Sequence, residues 1–113
     1  MNLLKETKEV LALHGKTIAD ILWVGLRFYG WRKSETDKRL PVGSWSDFEK
    51  LADFNYDAGY GGIEIASGLV VVGNDWWLER GEYDGSEWWE FKRLPERPDD
   101  TTELRKDDLK ERY

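Results

Sequence analysis

A chain of 113 residues, 40% hydrophobic and 14% aromatic, is the size of one ordinary domain and too apolar to be disordered, despite 35% charged residues. The absence of cysteine excludes disulfides, thiolate metal sites and cysteine nucleophiles, and is compatible with a reducing cytoplasm. The net charge of −6 is uneven, +2 over residues 1–50 and −8 over residues 51–100, so the second half should repel nucleic acid and attract a basic surface.

Residues 2–14 carry Leu3, Leu4, Val10, Leu11 and Leu13 at helical spacing, with Asn2 as N-cap and Gly15 as the stop. Charged residues Lys5, Glu6, Lys8 and Glu9 interrupt any signal-peptide pattern. After a short turn at residues 17–20, residues 21–29 read as a buried strand, in which Gly25 marks a bulge or a close neighbour. The most apolar stretch, residues 18–31, contains Asp20 and Arg27 and is too short to span a bilayer, so a cytoplasmic protein is expected. A charged loop follows, basic over residues 32–39 and closed by Leu40-Pro41-Val42-Gly43.

Ser46 and Glu49 form a capping-box pattern that predicts a helix from Ser46 to about Phe54, with Trp45 as a hydrophobic staple. The loop Gly59-Tyr60-Gly61-Gly62 lacks the Lys-Ser/Thr ending of a phosphate loop and reads as a turn. Residues 63–66 form a short extended piece and residues 69–72 a strand. A hairpin of residues 76–93 then turns at Asp84-Gly85, whose two-residue type I′ turn needs positive φ at both positions. Pro95 and Pro98 end the sheet, and residues 99–113 form a charged tail behind a single domain of residues 1–98. The order of elements argues an α+β fold: a three-stranded C-terminal meander plus one earlier strand, with two helices on one face.

Counting from the turn places Tyr83 opposite Ser86, Gly81 opposite Trp88, Glu79 opposite Glu90 and Trp77 opposite Lys92. The alternate pairs are Glu82 with Glu87, Arg80 with Trp89, Leu78 with Phe91 and Trp76 with Arg93. One face thus holds Trp76, Leu78, Trp89 and Phe91 and suits a core, to which Trp23 should add. The other sets Trp77, Trp88 and Tyr83 among Glu79, Glu90 and Lys92. Aromatic rings among carboxylates on a wet face point to recognition of a basic protein partner through Trp77, Glu79, Glu82, Tyr83, Glu87, Trp88 and Glu90. Opposed like charges such as Glu79–Glu90 are disfavoured in a ladder, and a bound cation, a shared proton, a basic partner or the diagonal Lys92 and Arg80 must compensate them. Aromatics on a sheet can also stack bases, but that mode needs a positive groove, so nucleic-acid binding at the hairpin is not expected.

One catalytic reading competes with binding. Asp75 with Glu90-Phe91-Lys92 matches the short D…E-x-K pattern of divalent-metal nucleases, in which two carboxylates hold a cation and the lysine helps activate water. Asp75 falls opposite Leu94, two same-face steps from Glu90, which weakens that match. His14, the sole histidine, has no His or Cys neighbour to build a zinc site or a triad, and no cofactor or resident metal is expected.

Several segments together, Leu51-Ala52-Asp53, Tyr56-Asp57-Ala58-Gly59-Tyr60-Gly61, Leu69-Val70-Val71-Val72-Gly73 and the hairpin from Trp76 to Phe91, carry a resemblance. They resemble small acidic proteins of conjugative elements, plasmids and phages of Firmicutes, a pool that includes anti-CRISPR inhibitors of type II RNA-guided nucleases. The resemblance covers most of residues 1–98 and implies inhibition by binding rather than by catalysis, blocking guide RNA or target DNA in a basic channel. An accessory protein of such an element, binding another partner, is the third reading. The basic loop of residues 32–39 is unlike that group and marks a separate candidate contact.

Overall fold

The computed structural model describes residues 1–29, 39–59 and 62–111. Helix α1 (Leu3–Leu13) starts at Asn2, whose side chain accepts from Lys5 N at 3.0 Å. It ends at Gly15, which takes the left-handed conformation (φ +69°) expected of a helix stop. The first two amides of α1, which no helical turn can satisfy, donate instead to Phe54 and Ala52 carbonyls at 3.1 and 3.0 Å. The start of α1 is therefore tied to the chain leaving the second helix.

That helix, α2 (Trp45–Leu51), is capped two residues before the expected Ser46. Its N-cap is Ser44, whose hydroxyl accepts from Asp47 N while Ser44 N donates to the Asp47 carboxylate, at 3.1 and 3.0 Å. Hydrogen bonding from Ser44, its backbone amide first and then its hydroxyl, holds the Asp47 carboxyl below its usual range. Trp45 is the first helical residue and is buried, rather than stapled outside. Ser46 and Glu49 form the same pattern two residues on, and the burial of Trp45 and Phe48 decides between the two. The helix also stops at Leu51, because Ala52 to Phe54 turn to meet α1.

Five antiparallel strands form one sheet in the order β2-β1-β3-β4-β5, comprising β1 (Trp23–Leu26), β2 (Val42–Gly43), β3 (Leu69–Val72), β4 (Trp76–Tyr83) and β5 (Ser86–Arg93). The fold is α+β, with the meander β3-β4-β5 as expected and one strand more than the sequence suggested. The extra strand, β2, pairs Val42 with Gly25, and a side chain at Gly25 would strike the Pro41 carbonyl and Val42. A close neighbour, not a bulge, explains that glycine. Residues 63–66 form no strand; their place in the fold is set by a buried carboxylate described below.

Both helices contribute to a single apolar cluster on one side of the sheet. It joins Leu3 and Leu11 of α1, Trp45 and Phe48 of α2, Val24, Val71, Leu78, Trp76 and Trp89. Pairing of Val24 with Val71 and of Val71 with Leu78 puts one core residue per strand in a single row. Beyond Arg93 every described residue is exposed, including a 3-10 turn at Lys106–Leu109. No helix among the described residues is long and apolar enough to cross a membrane.

Candidate functional site

The hairpin has the register counted from the turn, rung for rung, from Trp76↔Arg93 to Tyr83↔Ser86. Asp84 and Gly85 occupy the turn with φ of +50° and +85°, the handedness a two-residue turn of this twist demands. Trp77 and Trp88 therefore share one face, and that face is opposite the helices.

Extending the rungs across the sheet defines this open face. One row runs Trp23, Val72, Trp77, Lys92; the next runs Gly25, Val70, Glu79, Glu90. Trp23 corrects its expected place in the core. It is half-buried on the open face, because pairing with Val72 fixes its parity and sends Val24 inward instead. Trp77 is half-buried, Trp88 is 38% exposed and Tyr83 projects near the turn at 77%. Gly81 lies beneath Glu90 and Trp88: a methyl there would collide with the Glu90 carboxylate and come within 2.8 Å of the Trp88 indole nitrogen. The glycine thus lets the ring and the carboxylate lie flat on the strand.

The opposed pair Glu79–Glu90 is compensated by cations of the same face. Trp77 Nε1 donates to Glu79 at 2.7 Å, and Arg27 reaches the other Glu79 oxygen at 3.5 Å. Glu90 pairs with Lys92 at 3.3 Å. Arg80, expected with Lys92 to compensate the like-charge rungs, lies on the other face and does so for the Glu82–Glu87 rung, meeting Glu87 at 3.3 Å. The result is a face of three indoles whose charges are matched in number and mostly open to solvent.

On the helix side, the same hairpin builds a buried ionic cluster that sequence reasoning missed. The Arg80 side chain is 3% exposed and meets Glu87 at 3.3 Å and Glu6 of α1 at 3.4 Å. Tyr56 OH donates to Glu6 at 2.5 Å, and Arg80 donates to the Tyr56 oxygen at 3.0 Å. The guanidinium also lies 4.8 Å from the Trp89 ring centre. Burial, then the bond to Glu6, pushes the Tyr56 hydroxyl up to about 12. Glu87 accepts from the Glu64 and Ile65 amides at 2.8 and 3.1 Å, which fixes residues 63–66 without a strand. Glu87 is consequently an interior residue and not part of any contact surface, a correction that follows from its 4% exposure. Glu82, opposite it, stays exposed at the hairpin end but on the helix side of the sheet.

Asp75, Glu90 and Lys92 are not drawn together. Leu94 N donates to the Asp75 carbonyl, so Asp75 sits beyond the Trp77↔Lys92 rung, and Glu90 lies four residues along the ladder. At the rise of a strand that is roughly 13 Å, a long span for two carboxylates on one cation. Among the described residues no group of three or more His, Cys, Asp or Glu is arranged to hold a metal. His14 stacks on Phe91, with ring centres 4.1 Å apart and planes within 6°. The basic loop of residues 32–39 lies, except for Arg39, outside the described residues, as do Tyr60 and Gly61. No family model, no curated protein and no solved structure matches this chain.

Proposed function

We propose that the protein is a non-enzymatic binding module that docks on a basic protein surface through the open face of its sheet. One observation carries this reading: Trp23, Trp77 and Trp88 lie part-exposed on a face that neither helix covers. Large aromatic rings preset on a sheet are the anchors that dominate protein interfaces, because they bury much area for little lost freedom. Glu79 and Glu90 supply orientation, exchanging the solvent-exposed Arg27 and Lys92 for cations of the partner. The −8 charge of residues 51–100 favours a basic partner and disfavours nucleic acid.

The resemblance to mobile-element proteins makes the partner a type II CRISPR RNA-guided nuclease, and the activity inhibition of guide or target engagement in the bacterial cytoplasm. A pull-down of purified type II nucleases, with and without guide RNA, tests this directly. Wild-type protein should retain the nuclease, whereas Trp77→Ala combined with Trp88→Ala should release it mainly through faster dissociation. Glu79→Gln with Glu90→Gln should slow association and flatten its salt dependence. Retention by the double tryptophan variant would move the binding site off this face. Cleavage of nucleic acid with Mg²⁺ or Mn²⁺, lost on Lys92→Ala, would replace binding by metal-dependent hydrolysis.

A further inference from the structure

The sheet ends in β5, and the outer edge of that strand has a specific, self-complementary pattern. Leu94 N donates to Asp75 O, so the even-numbered residues of β5 bond inward to β4. The odd-numbered residues present their amides and carbonyls outward. Glu87 N is already taken by the Ala58 carbonyl at 2.9 Å, which closes the edge at the turn end. Trp89, Phe91 and Arg93 have no backbone partner across that edge among the described residues. Pro95, without an N–H, closes the other end.

We infer that this edge pairs with the same edge of a second copy, antiparallel, about a two-fold axis at Phe91. Of the symmetric registers, three centre on an outward-facing residue, of which the ends of the edge eliminate two, and those centred on Glu90 or Lys92 set a like charge against its own copy. Centring on Trp89 requires the Glu87 amide that Ala58 occupies. Centring on Arg93 sets Arg93 against its own copy and Phe91 against Pro95, which cannot donate. Centring on Phe91 sets Trp89 opposite the partner's Arg93 in bonded rungs and Glu90 opposite the partner's Lys92 between them. Those two charges, 3.3 Å apart within one chain, then also meet across the interface, twice by symmetry. Exposed apolar residues Ala12 and Leu13 precede the His14 that stacks on Phe91, so apolar helix surface stands beside the axis. An antiparallel pairing of this kind keeps both helix layers on one side and both tryptophan faces on the other, giving one continuous sheet with a doubled open face.

Sedimentation equilibrium over a wide concentration range tests the pairing, with circular dichroism to verify that each variant folds. Wild-type protein should reach twice its 13.3 kDa mass. Lys92→Glu alone, or Glu90→Lys alone, should weaken the dimer on the order of tenfold, since each opposes like charges twice. The combined Glu90→Lys, Lys92→Glu variant should regain the wild-type dimer. Phe91→Cys adds a check on register: across a bonded antiparallel rung the two Cα atoms lie roughly 5.5 Å apart, within disulfide reach. Mild oxidation should cross-link that variant in solution. Wild-type protein that stays monomeric at every concentration overturns the inference, as does a dimer that ignores both single charge reversals and leaves Phe91→Cys uncross-linked. A monomer that pairs this edge only with a foreign strand overturns it too.

Discussion

The two faces of this sheet are built from the same five strands in the same register, yet they treat charge in opposite ways. Neighbouring residues of β4 make the contrast plain. Arg80 turns toward the helices and is locked between Glu6 and Glu87 with almost no exposure. Glu79 turns away and meets Arg27 at 3.5 Å, on a side chain 45% exposed. Aromatic content does not separate the faces, since each holds two tryptophans of the hairpin. What separates them is cover. Where α1, Tyr56, Glu64 and Ile65 supply a carboxylate, a hydroxyl and amides, charge can be buried; on the other face, over which neither helix lies, the ion pairs stay partly exposed. That asymmetry teaches that stability resides on one face and is left to recognition on the other.

The largest effect expected from breaking this contrast is Arg80→Met. It leaves Glu6 and Glu87 buried without their cation, and should cost about 3–5 kcal/mol in urea unfolding. Glu79→Gln, one residue away, should stay within about 0.5 kcal/mol of wild type. Equal losses for the two would abolish the distinction. Next is Leu78→Ala, in the fully buried row, at about 2–5 kcal/mol. Trp88→Ala on the open face removes a larger side chain but should cost less, about 1–2 kcal/mol, because over a third of it is already in water.

The buried cluster also sets a response to alkali. Unfolded, the Tyr56 hydroxyl gives up its proton near 10; folded, it holds it to about 12. The folded state thus binds the proton more tightly, so the stability this provides is fully present below pH 10 and is lost as pH rises toward 12. Urea midpoints measured between those values should fall more steeply for wild type than for Tyr56→Phe; parallel curves would mean the hydroxyl titrates as it does in water. The smallest effect separates the two overlapping helix starts. Ser44→Ala should lose about 1 kcal/mol, the worth of an N-cap, and Ser46→Ala no more than about 0.5. The reverse order would restore the later helix start.

Much of the architecture is legible in the chain. Asp84-Gly85 sets the turn, the turn sets the register, and the period-two alternation then names both hairpin faces, including the pairing of Glu79 with Glu90 and of Trp88 with Gly81. Asn2 and Gly15 bound α1 in the same local way. The misreadings arise where two local answers are equally good. Ser44-x-x-Asp47 and Ser46-x-x-Glu49 both cap a helix, and Trp23 or Val24 could each point inward from β1. A two-residue strand such as β2 carries too little pattern to be seen at all.

What the sequence determines by itself is whatever depends on contacts a few residues apart: turn handedness, caps, and the parity of side chains along a strand. Only the tertiary structure decides which parity becomes interior, because that depends on what is laid over it. Glu6 and Arg80 are 74 residues apart, and Glu64 and Glu87 are 23. No local rule links such residues; burial removes water from both, and only then does an ion pair or an amide become the one way to satisfy a carboxylate that a sequence would place on the surface.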